Sequence, residues 1–184
     1  MTIATCTLPD DALLQKYRRT PTGDSASNHT DCYRTRVTGN VALADYVYSF
    51  YTSWLFRLER FILRHLVHKP SSDSGARALA DGVIADFAAW DVEARTPTQL
   101  LMCDFLGRTR SWFMVEALSE AGEPFTILRF GSAVVPAVNR DSGRTRTGLA
   151  YRVLLPFHRL YSRLLLRAAL SRLRHTAKGD CRQE

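Results

Sequence analysis

The sequence predicts an α+β fold: a curved antiparallel sheet of about five strands packed on a long C-terminal helix, with helices inserted after the first strand. Three observations carry this. Apolar residues recur at helical spacing through residues 41–90 and again through 149–174. Between 92 and 135 the apolar period falls to two, the mark of half-buried strands. The connections between those period-two runs are short, which demands antiparallel neighbours, because a parallel pair needs a crossover of a dozen or more residues.

Residues 1–30 are rich in Thr, Ser, Asp and Pro, and only 12–17 has the composition of a short helical turn. The segment is expected to be disordered or loosely attached. Residues 31–38 alternate: Cys32, Arg34 and Arg36 share one face of a first strand, and Tyr33, Thr35 and Val37 the other. Gly39 and Asn40 end it, and Asn40 is a candidate helix cap. Residues 41–68 then carry Val47, Phe50, Tyr51, Trp54, Leu58, Phe61, Ile62 and His65 near one helical face, with Thr52 and Ser53 as a break into two helices. Pro70 stops this run, and Ser71, Ser72 or Ser74 can cap a third helix whose apolar stripe runs from Ala76 to Trp90. Four strands follow over 92–96, 100–105, 109–118 and 125–135. Gly131 inside the last predicts a bulge or the close approach of another segment. A polar loop, 139–147, leads into the closing helix. There Val153, Phe157, Leu160, Tyr161, Leu164 and Ala168 form the main apolar face, and Arg152, Arg159, Arg163, Arg167 and Arg174 a basic stripe. Leu155, Leu166, Leu170 and Leu173 fall off that face, so the helix is either sandwiched or offers a side to a partner. Residues 176–184 read as a frayed tail, leaving one domain over 31–175.

The totals limit the function classes. The chain has 184 residues, 46% hydrophobic and 23% charged, ordinary for one globular domain. The formal net charge of +7 is concentrated late, and no Asp or Glu occurs between Asp141 and Asp180. This favours an anionic ligand or membrane surface, but a solvated Arg face is the simpler explanation. No nucleic acid is expected, since the arginines lie on a strongly apolar helix with no accompanying motif. Cys6, Cys32, Cys103 and Cys181 form no C-x-x-C pair and have no His at ligand spacing, so reduced thiols, no metal and no cofactor are expected. No signal peptide or apolar run of about 20 residues is visible, which points to a cytoplasmic protein. His65 reads as a hydrogen-bonded core or boundary histidine, His68 as a surface one and His158 as a boundary one, and the loop at Ser142 and Gly143 lacks the Gly-Lys-Ser/Thr of a P-loop.

The most informative chemistry lies in the hairpin over 100–115. With a two-residue turn at Leu106 and Gly107, Leu101, Cys103, Phe105, Arg108, Arg110, Trp112 and Met114 share one face. Leu100, Met102, Asp104, Thr109, Ser111, Phe113 and Val115 share the other. Arg110 and Trp112 among apolar neighbours suit a cavity wall, the guanidinium for an anion and the indole for a ring. An outer face with Arg110 paired to Glu93 or Glu116 is the competing reading. Asp104, Glu116 and Arg129, which also interrupt apolar strands, read as solvated cross-strand partners. No catalytic residue is assigned.

The segments YRTRV, LLMCDFLGRTRSWFMVEAL, ILRFGSAVV and PFHRLYSRLLLRAAL, in this order, resemble the START-like or helix-grip superfamily, and within it an uncharacterised bacterial family. The resemblance implies a small lipophilic or aromatic ligand held between sheet and C-terminal helix. Cys103, Arg110, Trp112, Met114, Phe157 and Tyr161 are then the expected ligand-binding residues. Two alternatives stay open: a cyclase- or aromatase-type enzyme on the same fold, and a peripheral membrane, protein-interaction or homodimer module using the basic helix.

Overall fold

The computed structural model describes residues 2–18, 29–66, 71–135 and 160–173, the side chains of 62–66 excepted. Seven strands make one antiparallel sheet: β1 (Ala4–Thr5), β2 (His29–Thr38), β3 (Asp86–Phe87), β4 (Trp90–Arg95), β5 (Gln99–Asp104), β6 (Thr109–Glu120) and β7 (Glu123–Val134). Their order is β1-β2-β7-β6-β5-β4-β3. The helices are α1 (Leu43–Tyr51), α2 (Trp54–Leu66), α3 (Asp73–Ala80) and α4, residues 160–173. This is the helix-grip arrangement: an antiparallel sheet built mostly after the first helices, with the C-terminal helix laid on it.

The five strands expected from the alternation are all present, and the two-residue β1 and β3 add an edge on each side. Thr52 and Ser53 do separate α1 from α2. The Thr52 hydroxyl donates to the Tyr48 carbonyl (2.6 Å) and closes α1, while Ser53 Oγ accepts the Phe56 N–H (3.3 Å) and opens α2. Asn40 is not the cap of α1. That position is Ala42, and Thr126 Oγ1 holds the junction instead, accepting from Val41 N–H (3.0 Å) and donating to the Gly39 carbonyl (2.8 Å). Ser72 caps α3 through the Gly75 N–H (3.0 Å).

The third helix is shorter than expected. Gly82 adopts φ +77°, its N–H reaches the Leu79 carbonyl (3.0 Å) and the Val83 N–H reaches that of Ala78 (2.8 Å). These paired bonds end a helix at a left-handed glycine, so Phe87 and Trp90 pass to strands.

The sheet has two buried faces. On one, Tyr33, Val37, Leu100, Met102, Phe113, Leu128 and Phe130 pack with residues of α1–α4. Phe50 is the hub there, edge-on to Phe113 (centroids 4.7 Å) and stacked on Phe130 (5.0 Å). On the other, Cys32, Leu101, Trp112, Met114 and Ala133 pack with Leu8, Ala12 and Leu14. This corrects the reading of the N-terminal segment as loose. Residues 2–18 form a strap across the back of the sheet, including the 3-10 helix Leu13–Tyr17. Leu8, Ala12 and Leu14, with Cys6, Leu13 and Tyr17 partly buried beside them, anchor it over the large surface of Trp112. Gly131 makes the fit possible. A Cβ there would lie 2.9 Å from the Asp31 carbonyl oxygen, 2.9 Å from Trp112 Cε3 and 3.0 Å from Leu14 Cδ2. Of the two readings of Gly131, close approach is the one realised: the pairing of β7 with β2 and β6 runs unbroken through it.

The closing helix is also corrected. Leu165, Leu166, Ala168, Ala169 and Leu170 are buried, whereas Leu160 and Leu164 are 56% and 43% exposed. The helix carries two apolar stripes, and the core takes Leu166 and Leu170 of the second with Ala168 of the first, leaving Leu160 and Leu164 outside. Residues 149–159, Phe157 and His158 among them, and the tail 176–184 lie outside the described residues, as do His68 and the side chain of His65.

Candidate ligand cavity

Strand pairing sets the floor of a cavity. Because directly opposed residues share a face, the register Asp31↔Ser132 and Ser132↔Ser111 draws three polar side chains into one cross-strand row. The next row inward, Tyr33–Phe130–Phe113–Leu100, is wholly aromatic or apolar. A cavity of about 170 Å³ opens above the junction of these rows. Phe50, Tyr51, Phe56, Phe130 and Leu165 give it apolar walls, and Ser111, Ser132, Thr109, Asp104, Ser162, Glu59 and Tyr161 a polar side.

The polar groups differ in how far they are committed. Asp104 Oδ1 accepts the N–H groups of Arg108 (2.6 Å) and Thr109 (2.9 Å), which stabilises the four-residue turn between β5 and β6. Asp31 Oδ1 accepts from both the N–H (3.0 Å) and the hydroxyl (2.5 Å) of Ser132. Its Oδ2 is buried without a hydrogen-bond partner among the described residues. Glu59, on the second turn of α2, accepts the phenolic hydrogen of Tyr161 from α4. Burial pushes the Glu59 carboxyl above its ordinary range, and the Tyr161 hydrogen bond only partly opposes this. Burial first, and then the Glu59 charge, push the Tyr161 phenol up as well. The pair is thus a protonatable carboxyl and a neutral phenol facing an aromatic chamber. It can donate to, or accept from, a hydroxyl or carbonyl.

Of the expected ligand-binding residues, Tyr161 lies in this cavity, and Phe157 falls outside the described residues. The other four lie on the opposite face of the sheet. The pairings Cys103↔Arg110, Leu101↔Trp112 and Gln99↔Met114 confirm that they share a face. That face is closed by the N-terminal strap. Trp112 is fully buried there, and its indole N–H donates to Gln99 Oε1 (2.9 Å), which also accepts the Leu13 N–H (3.0 Å). Gln99 Nε2 in turn donates to the Asp11 carbonyl (3.1 Å). Arg110 pairs with Glu93 (3.1 Å) and lies over the Tyr17 ring, 4.5 Å from its centroid. Glu93 also binds the Tyr17 hydroxyl (2.5 Å) and Lys16. Burial and this bond push the Tyr17 phenol up to about 12. Met114 Sδ lies 4.0 Å from Arg129, which pairs with Glu116 (2.6 Å) as expected, although the Arg129 side chain is only 13% exposed rather than solvated. Cys103 donates to the Asp104 carbonyl (3.3 Å), and burial raises its thiol.

The four expected residues therefore share one face of the strands, and the cavity lies on the other. Glu59, Ser111 and Ser132, which line it, were not among the expected residues. The two serines carry a readable signal, small hydroxyls at inward positions of apolar strands. Glu59 carries none, since an acid on an amphipathic helix is ordinarily solvated. Among the described residues no three His, Cys, Asp or Glu side chains converge as a metal would require.

No protein-family model matches the chain, and no curated protein matches it. Among solved structures, CalU16 from Micromonospora echinospora aligns over 96% of this chain and 94% of its own, at 14% identity and a TM-score of 0.25. At that score the likeness carries no weight, and the fold assignment rests on the strand order, register and helix placement described above. Among the described residues no helix is long and apolar enough to cross a membrane.

Proposed function

We propose that this chain is a START-like binding protein for a small aromatic molecule bearing a hydroxyl or carbonyl group, held in the cavity between sheet and helices. The observation that carries the proposal is one chamber with aromatic walls and a carboxyl–phenol pair at its side. Its size narrows the ligand. A volume near 170 Å³ is close to that of an engineered cavity of ~150 Å³ that holds benzene, and below the ~300–1,000 Å³ of pockets for larger ligands. A single ring fits; an acyl chain or a fused polycycle does not. Titration of ¹⁵N-labelled protein with p-cresol tests this. Amide shifts should concentrate at Ser111, Ser132, Glu59 and Tyr161. Shifts centred on Leu101 and Trp112, or none at saturating ligand, reject the proposal.

A second reading, acid–base chemistry of the cyclase or aromatase kind, is favoured by the raised Glu59 carboxyl, since a buried protonatable acid suits proton transfer. Glu59 would take a proton from carbon next to a ring-bound carbonyl once the Tyr161 hydroxyl turns its single hydrogen from the carboxylate to the carbonyl oxygen. Hydrogen–deuterium exchange at the methyl group of acetophenone is the probe. Acceleration by the protein that disappears in Glu59→Gln supports catalysis. Exchange at the buffer rate, with the ketone demonstrably bound, leaves binding as the function.

A further inference from the structure

The back of the sheet holds a feature that the cavity does not use. β1 pairs with β2 in the register Ala4↔Arg34 and Thr5↔Tyr33, and the next position sets Cys6 opposite Cys32. The Cys6 N–H donates to the Cys32 carbonyl (2.9 Å), so the antiparallel ladder continues through the pair. The two sulfurs lie 2.7 Å apart. Directly opposed residues of antiparallel strands have Cα atoms about 4.5–5.5 Å apart, inside the ~4.4–6.8 Å that a disulfide spans. No backbone movement is needed to join them.

We propose that Cys6 and Cys32 form a redox clasp: oxidation by a low-molecular-weight disulfide links them and fixes the N-terminal strap to the sheet. The two thiols are unequal in a way that orders the reaction. Cys6 is partly exposed and Cys32 buried. The hydrogen bond they share holds the Cys6 thiol below its ordinary range, helped by the charges of Arg129 and Arg34, while the same bond and burial push Cys32 up. Cys6 therefore attacks first. Its thiolate displaces one thiolate from the small disulfide RSSR, giving a Cys6–S–S–R mixed disulfide. The Cys32 thiol then loses its proton to the solvent, and its sulfur displaces the second RS⁻ from Cys6. The protein is oxidised by two electrons and RSSR is reduced to two RSH.

The clasp has something to hold. Leu8, Ala12 and Leu14 cover Trp112, and Gln99 bonds the strap at Asp11 and Leu13. In the reduced chain, β1 contributes only two paired residues to the sheet edge, so the N-terminal end of the strap is its weakest attachment. A covalent link at Cys6 converts that edge into a closed loop back to β2, restricting the unfolded chain as well as the folded one.

The experiment uses the full chain, reduced and then equilibrated with oxidised glutathione. Peptide mapping of the product should show Cys6 joined to Cys32, with Cys103 and Cys181 unlinked to either. Melting should shift upward by about 5–10 °C and return on reduction. Cys6→Ser should abolish both the link and the shift. Cys32→Ala guards against a folding defect: its Cys6 should stop at the glutathione adduct, visible by mass. A wild-type protein that stops at the Cys6 adduct overturns the proposal, as does one that links Cys6 or Cys32 to another cysteine. A verified Cys6–Cys32 link without a melting shift overturns the clasping role.

Discussion

The two faces of the sheet are made from the same strands by the same alternation, yet one is filled and the other is not. The back face receives a short strap whose Leu8, Ala12 and Leu14 close over Trp112, Leu101 and Met114. Every polar group singled out there has a partner inside the strap or sheet: Trp112 with Gln99, Arg110 with Glu93, Glu93 with Tyr17 and Lys16. The helix face receives α1 to α4. They pack well around Phe50 but leave a chamber where the aromatic row gives way to Ser111 and Ser132. A flexible strap adapts to the surface beneath it, whereas a helix docked on one stripe cannot follow a sheet row whose side chains become small and polar. The residue most like a ring-binding platform is therefore packed under the strap, and the chamber lies on the other side of the sheet.

The largest effect that sharpens this contrast is on the back face. Trp112→Ala should destabilise by about 3–5 kcal/mol, lowering Tm by roughly 6–20 °C, through the lost indole packing and the bond left open on Gln99. Thermal melts check it, and a change under about 1 kcal/mol would mean the strap does not pack as described.

Leu166→Ala, on the buried stripe of α4, should cost about 2–5 kcal/mol, read from urea denaturation. If it melts like the parent, the sheet does not grip this side of the helix.

Glu59→Gln should have a smaller effect whose sign depends on pH. Burial raises the folded carboxyl, so the folded state binds a proton more tightly than the unfolded chain does. The stability contributed by that proton is full below the unfolded carboxylate range and is lost as pH rises through the folded value. Glutamine keeps an acceptor for Tyr161 without the buried charge. The variant should melt higher than the parent at pH 8 and alike at pH 4. A variant that loses stability equally at both pH values would contradict the assigned burial.

The smallest effect belongs to Leu164→Ala. Its side chain is exposed, and the change should stay within about 0.5 kcal/mol, although sequence periodicity placed Leu164 on the main apolar face.

That last pair shows what the sequence could and could not convey. The alternation of Cys32/Arg34 with Tyr33/Thr35 fixes which residues of a strand travel together, and the same holds for Cys103, Arg110, Trp112 and Met114. Strand boundaries follow from the same signal. Alternation does not say which face receives the helices when both are apolar, and a helix with two apolar stripes does not say which is inside. The strap was illegible because its polar composition outweighs its anchoring residues. Glu59 and the Asp31–Ser132–Ser111 row arise only from tertiary placement and register: Asp31 and Ser132 are 101 positions apart, and Ser111 meets Ser132 only through strand pairing. The Glu59–Tyr161 contact, spanning 102 positions, is the extreme case.

Calorimetric titration with p-cresol against two variants tests the central claim most directly. Ser111→Leu fills the chamber from its floor, and Trp112→Phe trims the opposite face while keeping it apolar. The account predicts that the parent and Trp112→Phe bind alike, and that Ser111→Leu, still folded, loses at least about tenfold in affinity, equivalent to ~1.4 kcal/mol. Undiminished binding by Ser111→Leu together with loss in Trp112→Phe would place the ligand on the strap side and contradict the account.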